Sequence, residues 1–149
     1  MTLLEEGISV SLGADGAACN NRLDMFTEMR TAALLQKALH GPEVLPASQV
    51  LRMATIDGAR ALGLDSEIGS LEVGKRADVA VVRLDRLHAT PVTDLVSALV
   101  YSAEQDDVDT VIIDGDLLMR ERELLKANEQ EIINDAQAQR ENLAADLHG

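Results

Sequence analysis

Around residue 70 the chain changes the period of its apolar residues, and this break limits its possible folds more than any other feature. Upstream, Met25, Met29, Ala32, Ala33 and Gln36 recur at helical spacing. Asn21 or Asp24 can cap that helix, and Gly41-Pro42 ends it. A second helix is expected from about Pro46-Ala47-Ser48, with Val50, Leu51, Met53 and Ala54 on its apolar face. Thr55 can cap a third, short helix through Ala59 and Leu62, closed by Gly63. Downstream, Gly69, Ser70, Gly74 and Lys75 mark turns, and residues 77–84 form a β-prone run rich in valine. Residues 108–113 predict another strand, Asp114-Gly115 a hairpin, and residues 117–120 the returning strand. Between these, residues 88–91 read as loop and residues 94–102 as a short helix. After Asn128, Ile132, Ala136, Leu143 and Leu147 share one face of a polar helix.

Ahead of the helices, Ile8, Val10 and Leu12 alternate with Ser9 and Ser11, which predicts a short strand. The chain therefore reads as α/β, or α+β when taken alone. It divides into residues 1–65 with a terminal strand and helices, residues 66–126 with a partial antiparallel β-sandwich, and residues 127–149 with a closing helix. At 149 residues it is shorter than a (β/α)8 barrel, which takes roughly 250.

Composition narrows the function. Thirteen basic and 26 acidic side chains give a net charge of −13, which opposes unspecific binding to nucleic acid or to an anionic membrane. No apolar run approaches the roughly 20 residues that span a bilayer. No basic segment followed by an apolar stretch opens the sequence, so the expectation is a cytoplasmic protein without a secretion signal. The single cysteine, Cys19, can form no internal disulfide and reads as a small buried residue.

Few residues have the setting that catalysis needs. Asp15 follows the apolar run 8–12 inside a loop of small residues, where α/β enzymes keep functional carboxylates. The same residue also suits a tight turn whose side chain caps its neighbours, and spacing alone leaves both readings open. His40, His88 and His148 form no H-x-H or H-E-x-x-H pair. His40 falls near a helix C-terminus, where its ring suits the dipole. Gly13 and Gly16 lack the lysine or third glycine of a phosphate loop. Glu104, Gln105, Asp106 and Asp107 read as a solvated acidic loop.

The stretch Gly13-Ala14-Asp15-Gly16-Ala17-Ala18-Cys19-Asn20-Asn21, followed by Leu23-Asp24-Met25-Phe26 and Glu28-Met29-Arg30, resembles the amidohydrolase superfamily. Within it, the chain is similar to the chlorohydrolase-like deaminases, the group of the methylthioadenosine/S-adenosylhomocysteine deaminases. Met53-Ala54-Thr55, Gly58 to Gly63, Ile68 to Lys75, Ala77-Asp78 and Val111 to Gly115 extend the likeness over nearly the whole chain. It implies the last part of a (β/α)8 barrel carrying a small β-sandwich, with residues 8–12 as the eighth strand. It also implies hydrolytic deamination of a purine-type or other N-heterocyclic substrate, driven by zinc or iron. Asp15 then matches the aspartate that binds the metal or handles the proton of the attacking water; Asn20 and Asn21 receive no role. The histidine ligands and the acid/base glutamate of such enzymes lie upstream of any residue here. The isolated chain is thus expected to be inactive, either as part of a deaminase with an N-terminal barrel polypeptide as partner or as a stand-alone, non-catalytic, self-associating module. Exposed strand edges predict a homodimer or higher oligomer. Ala14, Cys19 and Arg122 depart from the threonine, serine and glycine usual in the family.

Overall fold

The computed structural model describes the backbone of residues 2–148 and the side chains of residues 3–144. Helix α1 (Thr2–Glu5) precedes α2 (Met25–His40), α3 (Ala47–Met53) and α4 (Ile56–Ala61). Strand β1 (Val79–Val82) follows, then α5 (Leu95–Tyr101), a 3-10 turn at Gln105–Asp107, β2 (Val108–Ile113), β3 (Asp116–Arg120), β4 (Glu123–Leu124) and α6 (Glu129–His148).

Local chemistry explains the helix limits. Asp24, not Asn21, caps α2: its Oδ1 accepts from the Phe26 amide at 3.0 Å and its Oδ2 from the Thr27 hydroxyl at 2.6 Å. Gly41 ends α2 at φ 103°, a conformation open to glycine at little cost. Pro46 stands at the N-cap of α3. Thr55 precedes α4 but does not cap it; its hydroxyl donates back to the Leu51 carbonyl at 2.7 Å. Asp94 caps α5 through the Ser97 amide at 2.7 Å.

The expected strand at residues 8–12 is absent. The segment is irregular, and its Leu12 amide donates to the Met53 carbonyl at 3.2 Å, at the end of α3. A strand exists only through a neighbour that completes its ladder, and no strand of the described residues lies beside it. Helix α1 fits the alternative that residues 1–14, without barrel neighbours, extend as a helix or arm rather than a strand.

The core gathers α2, α3 and α5. Met29 and Ala33 of α2 meet Leu45, Ala47, Val50 and Met53, with Val100 of α5 closing the cluster. Val50 and Val100 are fully buried, each representing about 1.5–3 kcal/mol of apolar burial. Arg30 ties α2 to the end of α5 by donating from Nη2 to the Ala103 carbonyl at 2.6 Å.

The four strands form one antiparallel sheet in the order β1-β2-β3-β4. Val79 pairs with Ile112, and a bulge follows between Val81 and Val82. The β2–β3 turn has Asp114 at φ 52° and Gly115 at φ 83°, the primed geometry that Asp-Gly favours. The β3–β4 turn has Glu121 and Arg122 at φ 51° and 70°. No glycine eases it. Arg122 is instead held by contacts from Nη1 to the Gln105 and Val108 carbonyls and from Nη2 to Asp106. The expected β-sandwich is thus represented by one sheet, with no second sheet among the described residues.

Helix α6 carries Ile132, Ala136 and Leu143, all exposed; the side chains of Leu147 and His148 lie outside the described residues. No helix of the described residues is long and apolar enough to cross a membrane.

Candidate functional site

Asp15 stands in the loop between the irregular segment 8–12 and α2. It is exposed, its backbone is left-handed at φ 58°, and its Oδ1 accepts from the Gly16 amide at 2.7 Å. Left-handed geometry suits aspartate better than most side chains, because its short carboxylate can bond locally. The Gly16 carbonyl then accepts from the amides of Cys19 at 2.9 Å and Asn20 at 3.0 Å, closing a turn. Of the two readings left open for Asp15, the turn is the one seen: it caps its own turn, and its second oxygen Oδ2 is not part of that cap. Such a carboxylate can accept a proton or join a cation.

Asn20 anchors the loop. Its Oδ1 accepts from the Arg22 amide at 3.0 Å, with the Leu23 amide at 3.4 Å, and its Nδ2 donates to Glu28 Oε1 at 2.6 Å. Sequence reasoning assigned Asn20 no role, and its partner eight residues on has no signature in a linear reading. Cys19 is exposed, not buried as expected. The small residues around it give the thiol nothing to pack under.

Among the described residues, no histidine joins Asp15 in a metal-binding group. His40 ends α2 and is exposed. His148 lies in α6, its side chain outside the described residues. His88 pairs with Asp107, a carboxylate only 3% exposed, at 2.8 Å from Nε2 to Oδ2. Asp107 therefore corrects the expectation of a solvated acidic loop. Its Oδ2 also accepts from the Glu104 amide at 2.9 Å, and its carbonyl accepts from the Arg83 amide at 2.8 Å. It thereby fastens the chain after β1 to the entry of β2. The signal missed was the capping spacing from Glu104 to Asp107.

Burial alone would raise the Asp107 carboxyl. The Glu104 amide and the His88 imidazole outweigh that and hold it below the ordinary carboxylate range. A depressed carboxylate stabilises the fold above its unfolded pKa of about 3.9, and that contribution disappears as pH falls through the folded value. Denaturant melts at pH 6 and pH 3 are expected to show a smaller stability loss for Asp107→Asn than for the wild-type protein. An equal loss in both would place the acid sensitivity elsewhere.

Among the described residues, no three His, Cys, Asp or Glu side chains converge as a metal-binding group. A catalytic zinc takes about three protein ligands plus water. Asp15 alone does not fit that requirement.

The sequence profile described as the amidohydrolase family matches residues 2–118. The chain belongs to the amidohydrolase family. A 5-methylthioadenosine/S-adenosylhomocysteine deaminase of Desulforudis audaxviator is 53% identical over 136 residues, covering 91% of this chain and 32% of that protein. A 5'-deoxyadenosine deaminase of Methanosarcina barkeri is 50% identical over 142 residues, covering 95% and 32% respectively. The structure of an adenosine deaminase from Xanthomonas campestris with bound zinc is 40% identical, with a TM-score of 0.92 over 96% of this chain and 33% of that one. This amidohydrolase chain thus spans about a third of the length of these relatives, and it corresponds to their C-terminal part. None of these three named deaminases supports the non-catalytic module.

Proposed function

We propose that this chain supplies Asp15 to the active site of a hydrolytic deaminase acting on an adenosine-type nucleoside. The observation that carries the proposal is a 53% identity, over nine-tenths of the chain, to a protein named as such a deaminase. The geometry of the loop is compatible with it. Asp15 is exposed and has one carboxylate oxygen outside its local hydrogen bond. In the proposed reaction the carboxylate takes a proton from water as the oxygen adds to the ring carbon and passes it to the exocyclic amino group, which leaves as ammonia. The complete protein is proposed to hold zinc or iron, with every ligand other than Asp15 outside these residues. The test joins this chain to the first two-thirds of the Xanthomonas campestris adenosine deaminase and measures ammonia release from adenosine. Turnover supports the reading, whereas a folded but inactive hybrid overturns it.

The cytoplasm is the proposed compartment, on the support of a single, exposed Cys19 that needs no oxidising environment. Self-association of the isolated chain is a further part of the proposal. Strand β1 ends the sheet. Leu34, Leu35 and Leu39 of α2 and Ile132 and Leu143 of α6 are all more than half exposed. Such edges and faces are association sites. Sedimentation across a hundredfold concentration range is expected to show dimers or larger species, and a uniform monomer throughout would refute this.

A further inference from the structure

The loop that carries Asp15 contains almost nothing that could hold it still. Gly13, Ala14, Gly16, Ala17 and Ala18 offer no polar side chain. Its internal bonds are the Asp15–Gly16 contact and the single turn closed on the Gly16 carbonyl. From residue 15 to residue 23 every position is exposed except Asn20, which is half-buried. Asn20 is also where the turn meets a rigid element. Its carboxamide gathers the Arg22 and Leu23 amides on one side and reaches Glu28, in the first turns of α2, on the other. Next to Glu28, Met29 is 4% exposed in the core, and Arg30 is bonded to the Ala103 carbonyl. The support under Glu28 is therefore firm.

We propose that Asn20 is a positioning residue: through its bond to Glu28 it fixes the turn that starts at Asp15, and so fixes where that carboxylate stands. This rests on the proposed role of Asp15 for its catalytic meaning, but the mechanical part stands without it. A carboxamide does this with neutral chemistry, its oxygen accepting from two amides while its nitrogen donates to a carboxylate. Asn21, its neighbour, is exposed.

The donor and acceptor roles can be exchanged, which gives a test with a definite sign. Asn20→Asp keeps the acceptor for the Arg22 and Leu23 amides but turns a second carboxylate oxygen towards Glu28, where like charges repel. Glu28→Gln alone keeps an acceptor for Asn20. Asn20→Asp combined with Glu28→Gln restores a donor facing an acceptor. The measurement is amide hydrogen exchange at Cys19 and Asn20 (position 20 in every variant), whose N–H groups bond the Gly16 carbonyl. Exchange there is expected to rise about fivefold or more in Asn20→Asp, the factor that roughly 1 kcal/mol of lost order represents. It should stay near the wild-type rate in Glu28→Gln and return to that rate in the double variant. Exchange in the core of α2 serves as the control and is expected to be unchanged. If Asn20→Asp fails to fold, Glu28→Ala removes the acceptor without adding charge and should give the same rise. Wild-type exchange in Asn20→Asp, or a double variant as fast as the single one, overturns the proposal. The active hybrid with adenosine deaminase separates this result from the role of Asp15. Loop order can be lost and rescued whether or not Asp15 is catalytic, and only a catalytic Asp15 makes kcat fall and recover with it.

Discussion

Gly69→Ala is expected to destabilise this protein by about 3 kcal/mol, the largest loss from a Gly→Ala change among the described glycines. Two penalties combine at Gly69. Its φ of +90° is a conformation that side chains rarely adopt, and strained backbone of this kind costs about 1–3 kcal/mol. A Cβ there would also lie 2.7 Å from the Ala59 Cβ, 2.9 Å from the Ile56 Cα and 3.2 Å from the Thr55 carbonyl oxygen. Two of those three atoms are backbone of α4 or its approach and cannot turn aside as the end of a long side chain would. Overpacking of this kind adds roughly 1–3 kcal/mol. For a chain of this size the sum corresponds to a fall in Tm of about 10 °C. Gly74→Ala is the control. Gly74 has φ +97° but nothing within 4 Å of its Cβ position, so it carries the backbone penalty alone. Thermal melts followed by circular dichroism should place Gly74→Ala between the wild-type protein and Gly69→Ala. Equal Tm values for the two variants would show that crowding against α4 contributes nothing.

Gly69 also shows how far the sequence could be read. The glycine announced a change of chain direction, and a bend stands there. Its second task, letting the chain lie directly on α4, depends on residues ten and more positions upstream and left no local mark. The same division runs through the fold. Asp24, Gly41 and the Asp114-Gly115 turn act within a few residues of themselves, and each was legible because a cap or a primed turn is a local device. Residues 8–12 carried a strand's alternation, but a strand is a relation between segments, and the neighbours that would complete it are not among the described residues. Asp107 was read as solvated because its charge suggests water. Its burial follows from His88, nineteen positions away, and from a cap on the Glu104 amide. Arg122 occupies a left-handed turn that composition would assign to glycine, and the contacts that hold it there come from the 3-10 turn and the start of β2. At the candidate site, Asp15 stood out because an acid among small residues is conspicuous. Asn20 did not, since its importance lies in a bond to Glu28 that only the folded loop creates.

Asp15→Asn should reduce kcat in the active hybrid by about a thousandfold, within the 10²–10⁴ that a positioned proton acceptor contributes. Asparagine is the informative replacement. Its side-chain oxygen can still accept from the Gly16 amide, so the local cap and the left-handed turn are retained. What it loses is the negative charge and the ability to take a proton at neutral pH. Loop order, read by hydrogen exchange at Cys19 and Asn20, is therefore expected to match the wild-type protein while turnover collapses. Metal bound per chain, measured by elemental analysis after purification without chelators, divides the two tasks a carboxylate can have here. A variant that keeps its metal and loses kcat assigns Asp15 to the proton of the attacking water. A variant that loses both assigns it first to the cation, because a neutral amide is a weaker ligand for a hard or borderline metal than a carboxylate. Retention of kcat within about threefold would remove Asp15 from the chemistry altogether and leave the Asp15 loop as structure only. The contrast with Asn20→Asp is then sharp. One substitution is expected to leave the loop ordered and the reaction stopped. The other is expected to loosen the loop and slow the reaction in proportion, and only that second defect can be repaired from Glu28.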